Sequence, residues 1–181
     1  MILRFRRLIN KKSLIVFVIT GLLFHMLFRA RSNPDALQAG SPAPDIALES
    51  IDGQKFRLSE LNEPVMLAFF NTHTILSGGL YTKYYLNRMP YLKGIEDAGR
   101  AKLIVVLDTK QSKNIINKET SSGKYKVLEK RVYLGNIEQA EKDYGISIWP
   151  HFFLINKEHT IIYEAKVPSV ELVDDFLDRS R

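Results

Sequence analysis

Residues 65–79 read VMLAFFNTHTILSGG, an apolar run that ends abruptly in polar residues and two glycines. An uninterrupted apolar run of about six residues is typical of a strand that is buried on both faces of a sheet. In open α/β sheets, ligands bind beyond the carboxyl ends of such strands. The sequence therefore predicts a buried strand at 65–70 and places a candidate site in the segment that follows it.

The chain of 181 residues contains no cysteine. This excludes a disulfide framework, a thiolate nucleophile, thiolate metal ligands and a redox couple formed by the chain's own thiols. It does not indicate a compartment, because a chain without thiols is equally stable in oxidising and reducing surroundings. Any function of the candidate site must therefore operate without cysteine thiols of this chain.

The excess positive charge of the chain is confined to its first 41 residues. These hold seven of the 26 Lys and Arg residues and one acid, whereas the other 140 residues carry 19 basic and 19 acidic groups. The net charge of +6 therefore belongs to the N-terminal segment and does not indicate a nucleic-acid-binding face. We expect no nucleic-acid partner.

The N-terminal segment predicts a membrane anchor. Residues 1–12 are basic, and the sixteen residues that follow carry no charge. Flanking Lys and Arg side chains can snorkel to the interfaces and lengthen this short span. The alternative, a cleaved signal peptide, lacks small residues at the spacing that cleavage requires. We therefore predict one N-terminal transmembrane helix that remains uncleaved.

This interpretation divides the chain into four parts. They are a basic cytoplasmic segment at 1–12, a transmembrane signal anchor at 13–29, a tether at 30–41 and one domain at 42–181. Five positive side chains precede the span and two follow it, which favours a cytoplasmic N-terminus. The domain is therefore expected on the extracytoplasmic, or periplasmic, side of the cytoplasmic membrane, held by a single pass.

The remaining sequence predicts an α/β domain. Strand and helix patterns alternate in the order β-β-α-β-α-β-α-β-β-α, which gives a mixed central sheet with helices on both faces. The signals are a hairpin turn at Asp52-Gly53, buried strands at 65–70 and 102–107, a short strand at 132–134, a helix capped by Asn136 and closed by Gly145, a hairpin at 152–165 and a helix capped by Ser169.

Several motifs between residues 40 and 180 resemble those of the thioredoxin-like redoxins. This group contains membrane-anchored thiol-disulfide oxidoreductases, peroxiredoxins and Sco-type copper proteins. The motifs are Gly40-x-x-Ala43-Pro44-Asp45, Asp52-Gly53 with Leu58-Ser59-Glu60-Leu61, the strand 66–70, and Tyr144-Gly145-Ile146 before Trp149-Pro150. The resemblance implies a thioredoxin-like fold in which Pro150 is a cis proline that faces the candidate site.

The reactive positions that the resemblance implies hold hydroxyl residues. In an oxidoreductase the two thiol positions would be Thr74 and Ser77, and in a peroxiredoxin Ser77 would replace the reactive cysteine. In a Sco protein, Thr72-His73 would precede copper-binding thiols that are absent. A serine hydroxyl has a far higher pKa than a thiol and forms no disulfide, so each mechanism loses its central step. We therefore expect no enzymatic activity, no catalytic residues and no cofactor.

Two alternatives use the histidines of this region. Ser77 could be a hydroxyl nucleophile with His73 or His151 as its base, although a lone serine between leucine and glycine is more often a helix cap. His73 and His151 could hold a metal in a Sco-like accessory role. Two imidazoles without a carboxylate or thiolate seldom hold a structural ion, so we predict no metal site.

The hypothesis that remains is an inactive thioredoxin-like domain that binds or helps to assemble another envelope or membrane protein. In active relatives the backbone beside the cis proline pairs with an extended substrate, a form of strand addition that needs no thiol. Thr74, Ser77 and Pro150 are then degenerate active-site positions, and the predicted partner-binding residues are Phe70, His73, Trp149 and His151. Simple core filling is the alternative role for Trp149.

Overall fold

The structure is a computed structural model that describes Thr20 and residues 36–70, 80–108, 128 and 130–179. The chain divides into two units, Met1–Pro34 and Asp35–Arg181, and the sheet and helices described below belong to the second. Among the described residues, no helix combines the length and the apolar character needed to cross a bilayer. Apart from Thr20, the predicted span at 13–29 lies outside those residues.

In the described ranges a seven-stranded mixed sheet forms the centre of the second unit. Its order is β2-β1-β5-β4-β3-β6-β7. Strands β3, β4 and β5 run parallel to one another, whereas the β1–β2, β1–β5, β3–β6 and β6–β7 pairs are antiparallel. The strands are β1 Ala47–Ser50, β2 Lys55–Arg57, β3 Val65–Phe69, β4 Lys102–Asp108, β5 Val132–Gly135, β6 His151–Ile155 and β7 Ile161–Ala165.

Strand β3 contains most of the apolar run at 65–70. All five of its residues are buried, because the strand pairs with β4 on one side and β6 on the other while helices cover both faces. The predicted strand at 65–70 is confirmed, except that the pairing ends at Phe69. The backbone N–H of Phe70 still donates to the carbonyl of Val106 at 3.0 Å.

Three helices cover the sheet in the described part of the chain: α1 Leu80–Asp97, α2 Ile137–Tyr144 and α3 Val170–Arg179. Helices α1 and α3 pack on one face, and α2 packs on the other, which confirms the predicted layers. The apolar residues that bury these faces are Tyr85, Met89, Leu92, Val173 and Leu177 on the first side and Ile137, Ala140 and Tyr144 on the second.

The ends of α2 are fixed by the residues that the sequence predicts. The Asn136 side chain accepts a hydrogen bond from the backbone N–H of Gln139 at 3.1 Å. Gly145 then adopts a left-handed φ of 65°, which glycine tolerates because it has no Cβ. These caps set the direction in which the chain leaves α2 towards Trp149-Pro150.

Strand β5 confirms the short strand predicted at 132–134 and adds a strand for which the predicted order of elements has no place. It lies inside the sheet between β1 and β4. Its pairs run from Val105↔Val132 to Asp108↔Gly135 on one side and from Leu48↔Gly135 to Ser50↔Tyr133 on the other. A four-residue pattern carries little local signal, and these distant partners decide its position.

The second half of the predicted tether packs against the domain. Ala36 is buried, and the backbone N–H of Leu37 donates to the carbonyl of Tyr144 at 3.0 Å. Further along, the N–H of Gly40 donates to the carbonyl of Ile161 at 2.8 Å, and the carbonyl of Ser41 accepts from the N–H of Ile161 at 2.9 Å. Packing therefore begins about six residues before the predicted domain boundary at 42.

Candidate functional site

The candidate site lies where β3 ends and β6 begins. Phe69 at the end of β3 is in register with His151, the first residue of β6. Immediately before His151, the Trp149-Pro150 peptide bond is cis, as the resemblance implies. The structure thus brings Phe70, Trp149, Pro150 and His151 to one end of the sheet, while His73, Thr74 and Ser77 lie outside the described residues.

The side chain of Trp149 is anchored in the fold but is not fully enclosed. Its ring meets Phe69 edge to face, with ring centroids 6.4 Å apart. Its indole N–H donates to Oε1 of Glu141 on α2 at 3.2 Å. The residue is half-buried, so it fills part of the core and still presents surface beside the cis peptide.

The backbone of Trp149 is available for pairing within the described part of the chain. The β3–β6 ladder begins at His151, and no described residue forms a backbone hydrogen bond with the N–H or C=O of Trp149. Backbone groups at such a position are the ones that an added strand would bind.

The imidazole of His151 is a core group. The side chain is 1% exposed and its ring lies tilted at 37° against the Phe153 ring. Its Nε2 atom lies 2.8 Å from Oε2 of Glu164 on β7. Burial lowers the pKa of His151, and this effect outweighs the Glu164 carboxylate, which acts to raise it. His151 is therefore neutral at pH 7, donates its Nε2–H to Glu164, and leaves Nδ1 as a buried acceptor without a partner among the described residues.

Phe70 is also a core residue. It is 0% exposed and packs edge to face on Tyr85, the two ring centroids being 4.7 Å apart. Neither Phe70 nor His151 therefore offers side-chain surface for the predicted partner contact. Of the predicted partner-binding residues that the structure describes, Trp149 alone keeps partial exposure.

Two carboxylates that were not predicted from the sequence, Glu141 and Glu164, hold this site. Glu164 could have been found from the predicted β6–β7 hairpin, since it is in register with Phe153, which shares a sheet face with His151. Glu141 follows no such pattern, because its contact with Trp149 depends on how the chain turns after Gly145.

Of the two histidines considered as metal ligands, only His151 lies among the described residues. Within the ranges that the structure describes, no group of three or more His, Asp or Glu residues could hold a metal ion. His151 could ligate a metal through Nε2 only by displacing the Glu164 carboxylate.

Solved structures of similar architecture come from thiol-disulfide exchange proteins. The thioredoxin domain of a thiol-disulfide oxidoreductase from Bacteroides vulgatus has a TM-score of 0.63 at 16% identity, covering 81% of this chain and 100% of that one. A thiol:disulfide interchange protein from Bacteroides sp. has a TM-score of 0.61 at 18% identity, covering 80% of this chain and 91% of that one.

A third similar structure is a pneumococcal exposed lipoprotein thioredoxin from Streptococcus pneumoniae. Its TM-score is 0.53 at 18% identity, with 75% of this chain and 99% of that one covered. No family model matches the chain, and no curated protein matches it significantly in sequence. Identities this low show the fold alone: the chain has the thioredoxin-like fold, and its sequence holds no cysteine.

Proposed function

We propose that this chain is a membrane-anchored, non-enzymatic thioredoxin-like module that binds an extended segment of another envelope protein. The observation that carries the proposal is the cis Trp149-Pro150 peptide, beside which the backbone of Trp149 pairs with no described residue, in a chain without cysteine. The chain keeps the backbone edge beside the cis peptide that would receive an extended segment, and it lacks the cysteine thiols that would exchange disulfides.

The absence of thiols argues against catalysis on chemical grounds. Thiol-disulfide exchange needs a thiolate to attack a sulfur atom, and a hydroxyl group cannot form the mixed disulfide that follows. Thr74 and Ser77, which occupy the implied thiol positions, therefore cannot support the reaction of the similar solved structures. Binding is the activity that the remaining groups can supply.

Recognition would combine backbone pairing with one aromatic contact. The N–H and C=O of Trp149 can bind an added strand, and its half-buried indole supplies a large apolar surface next to them. The hydrogen bond to Glu141 holds the indole in one orientation, which lowers the entropy lost on binding. Phe70 and His151 would support this edge from within the core rather than contact the partner.

Anchoring in the membrane is part of the same proposal. The basic segment 1–12 followed by the uncharged stretch to residue 28 supports a cytoplasmic N-terminus and an extracytoplasmic domain. The similar structure from Streptococcus pneumoniae is described as an exposed lipoprotein, which supports an extracytoplasmic place for this domain. The partner would then be an envelope protein or the exposed part of a membrane protein.

Site-specific photo-crosslinking in the native membrane tests the proposal. A photoreactive residue at Ile148, next to the proposed edge, should capture one defined partner, whereas the same residue at Tyr84 on α1 should not. Trp149→Ala should abolish the crosslink while the circular dichroism spectrum stays unchanged, and Trp149→Phe should retain part of it. Capture at both positions, or an unchanged crosslink in Trp149→Ala, would contradict the proposal.

An activity assay separates the binding module from an enzyme. We expect the purified chain to reduce insulin and to consume peroxide no faster than the uncatalysed background. A rate above background would contradict the non-enzymatic role. If the same rate persisted in the purified Ser77→Ala variant, the Ser77 hydroxyl would not be its source.

A further inference from the structure

A cavity lies at the opposite end of the sheet from Trp149. It has a volume of about 690 Å³, within the range of about 300–1,000 Å³ found for small-molecule sites. Its walls come from the β1–β2 turn, the segment after β2, and the first residues of β4 and β5. Since β4 and β5 run parallel to β3, these strand starts are remote from the cis peptide at the end of β3.

One wall of this cavity is aromatic. The rings of Phe56 and Tyr133 meet edge to face, with centroids 5.2 Å apart and planes at 84°. Ile51, Leu61 and the buried Val132 add apolar surface around them. Such a wall suits a flat ring, because a third aromatic group can pack against the pair in the same offset or edge-on geometry.

The same cavity holds donors that make no hydrogen bond to any residue that the structure describes. Nζ of Lys102 lies 5.4 Å from the centroid of the Phe56 ring, and neither Lys102 nor Lys130 forms an ion pair with any residue that the structure describes. The Tyr133 hydroxyl makes no hydrogen bond within the described ranges. Burial raises the pKa of Tyr133, so this hydroxyl stays protonated and can donate.

The position of the charges favours an anionic group inside the cavity. Lys102 is half-buried beside the aromatic wall, whereas the acidic lining residues Asp52 and Glu60 are exposed to solvent. Solvent screens the exposed carboxylates more strongly than it screens the half-buried ammonium group. A carboxylate that binds beside Lys102 therefore meets this cation first, whereas Asp52 and Glu60, with Glu63 and Glu96, whose charges also act on Tyr133, disfavour a ligand with several negative charges.

We infer that this cavity is a binding site for a small aromatic monocarboxylate, whose ring packs on Phe56 and Tyr133 while its carboxylate meets Lys102 and the Tyr133 hydroxyl. The exposed Lys130 adds a second cation to the lining of the cavity. The site is independent of the proposed partner-binding edge, because the two lie at opposite ends of β3.

Titration calorimetry and ligand-observed NMR on the full-length chain, with 3-phenylpropionate as the probe, test this inference. We expect a Kd of about 1 mM or tighter. Lys102→Gln should weaken binding about tenfold or more, because it removes a charge-assisted hydrogen bond. Lys102→Arg should keep most of the affinity, and the control Lys157→Gln in the β6–β7 turn should not change it.

Two analogues complete the test. The uncharged 3-phenylpropanol and the saturated 3-cyclohexylpropionate should each bind several-fold more weakly than 3-phenylpropionate. Absence of binding at 10-fold above the expected Kd would overturn the inference. Equal binding of 3-phenylpropanol, equal binding of 3-cyclohexylpropionate, or full affinity in a folded Lys102→Gln variant would overturn it as well.

Discussion

At the scale of single residues, the side chains on either side of Pro150 are held by carboxylates from other elements. Trp149 binds Glu141 on α2, and His151 binds Glu164 on β7. The backbone between them is therefore fixed from both directions. A binding edge that is already ordered loses less entropy when a partner adds to it, which is the advantage expected of a site that works by binding alone.

The burial of His151 predicts a pH dependence of stability. Burial lowers the pKa of His151 below its ordinary value of 6.5, so the unfolded chain binds more protons than the folded chain between the two pKa values. The contribution of His151 to the free energy of unfolding should therefore be complete above pH 6.5. It should decrease as the pH is lowered from 6.5 towards the pKa of His151 in the folded chain. Urea unfolding of residues 35–181 at intervals between pH 7.5 and pH 5 measures this slope.

The matched variant for this measurement is His151→Gln. A glutamine amide can still donate a hydrogen bond to Glu164 but does not titrate. The slope between pH 5 and pH 6.5 should therefore become shallower in the variant. An identical slope in both proteins would show that His151 is not the group responsible.

At the scale of secondary structure elements, the close packing of β5 against β4 can be tested at Gly135. A Cβ at this position would lie 2.8 Å from Cγ1 of Val106, a stiff β-branched residue that is buried in β4. We expect Gly135→Ala to lower the free energy of unfolding by about 1–3 kcal/mol, measured by urea unfolding.

Gly94 provides the control for that substitution. It lies inside α1, and an added Cβ would have no heavy atom within 4 Å. Gly94→Ala should raise stability by up to about 1 kcal/mol, because alanine favours the helix more than glycine does. If Gly135→Ala and Gly94→Ala change the free energy of unfolding in the same direction, close packing at Gly135 does not explain the effect of Gly135→Ala.

Local patterns were sufficient to predict most elements of this fold. The apolar runs of β3 and β4, the Asp52-Gly53 hairpin and the caps of α2 each carry their signal within a few residues. The cis proline at Pro150 followed from the resemblance and is confirmed. The central position of β5 and the contact of Glu141 with Trp149 depend on segments distant in sequence or on the exact path of a turn, so no local pattern reveals them.

At the scale of the whole molecule, the uneven charge distribution predicts where the protein resides. The first 41 residues hold the entire net charge of +6, and an uncharged stretch lies within them. We expect the full-length chain to stay in the membrane fraction after alkaline carbonate extraction, because an apolar span is not released by removing ionic contacts. A chain that lacks residues 1–29 should be recovered in the soluble fraction.

The orientation is measured separately. Protease added to intact spheroplasts should digest the domain if it lies outside the cytoplasmic membrane, and a cytoplasmic marker should survive in the same sample. Release of the full-length chain by carbonate, or protection of the domain until the cells are lysed, would contradict the predicted topology.

The packing of residues 36–41 has a practical consequence for any shortened form of this protein. A version that starts at Pro42 would lose the groups that pair with the carbonyl of Tyr144 and with both backbone groups of Ile161. Ile161 belongs to β7, which lies at the border of the sheet, and an uncovered border strand is a template for self-association. Preparations that begin at Asp35 should therefore remain monodisperse at concentrations at which those that begin at Pro42 aggregate.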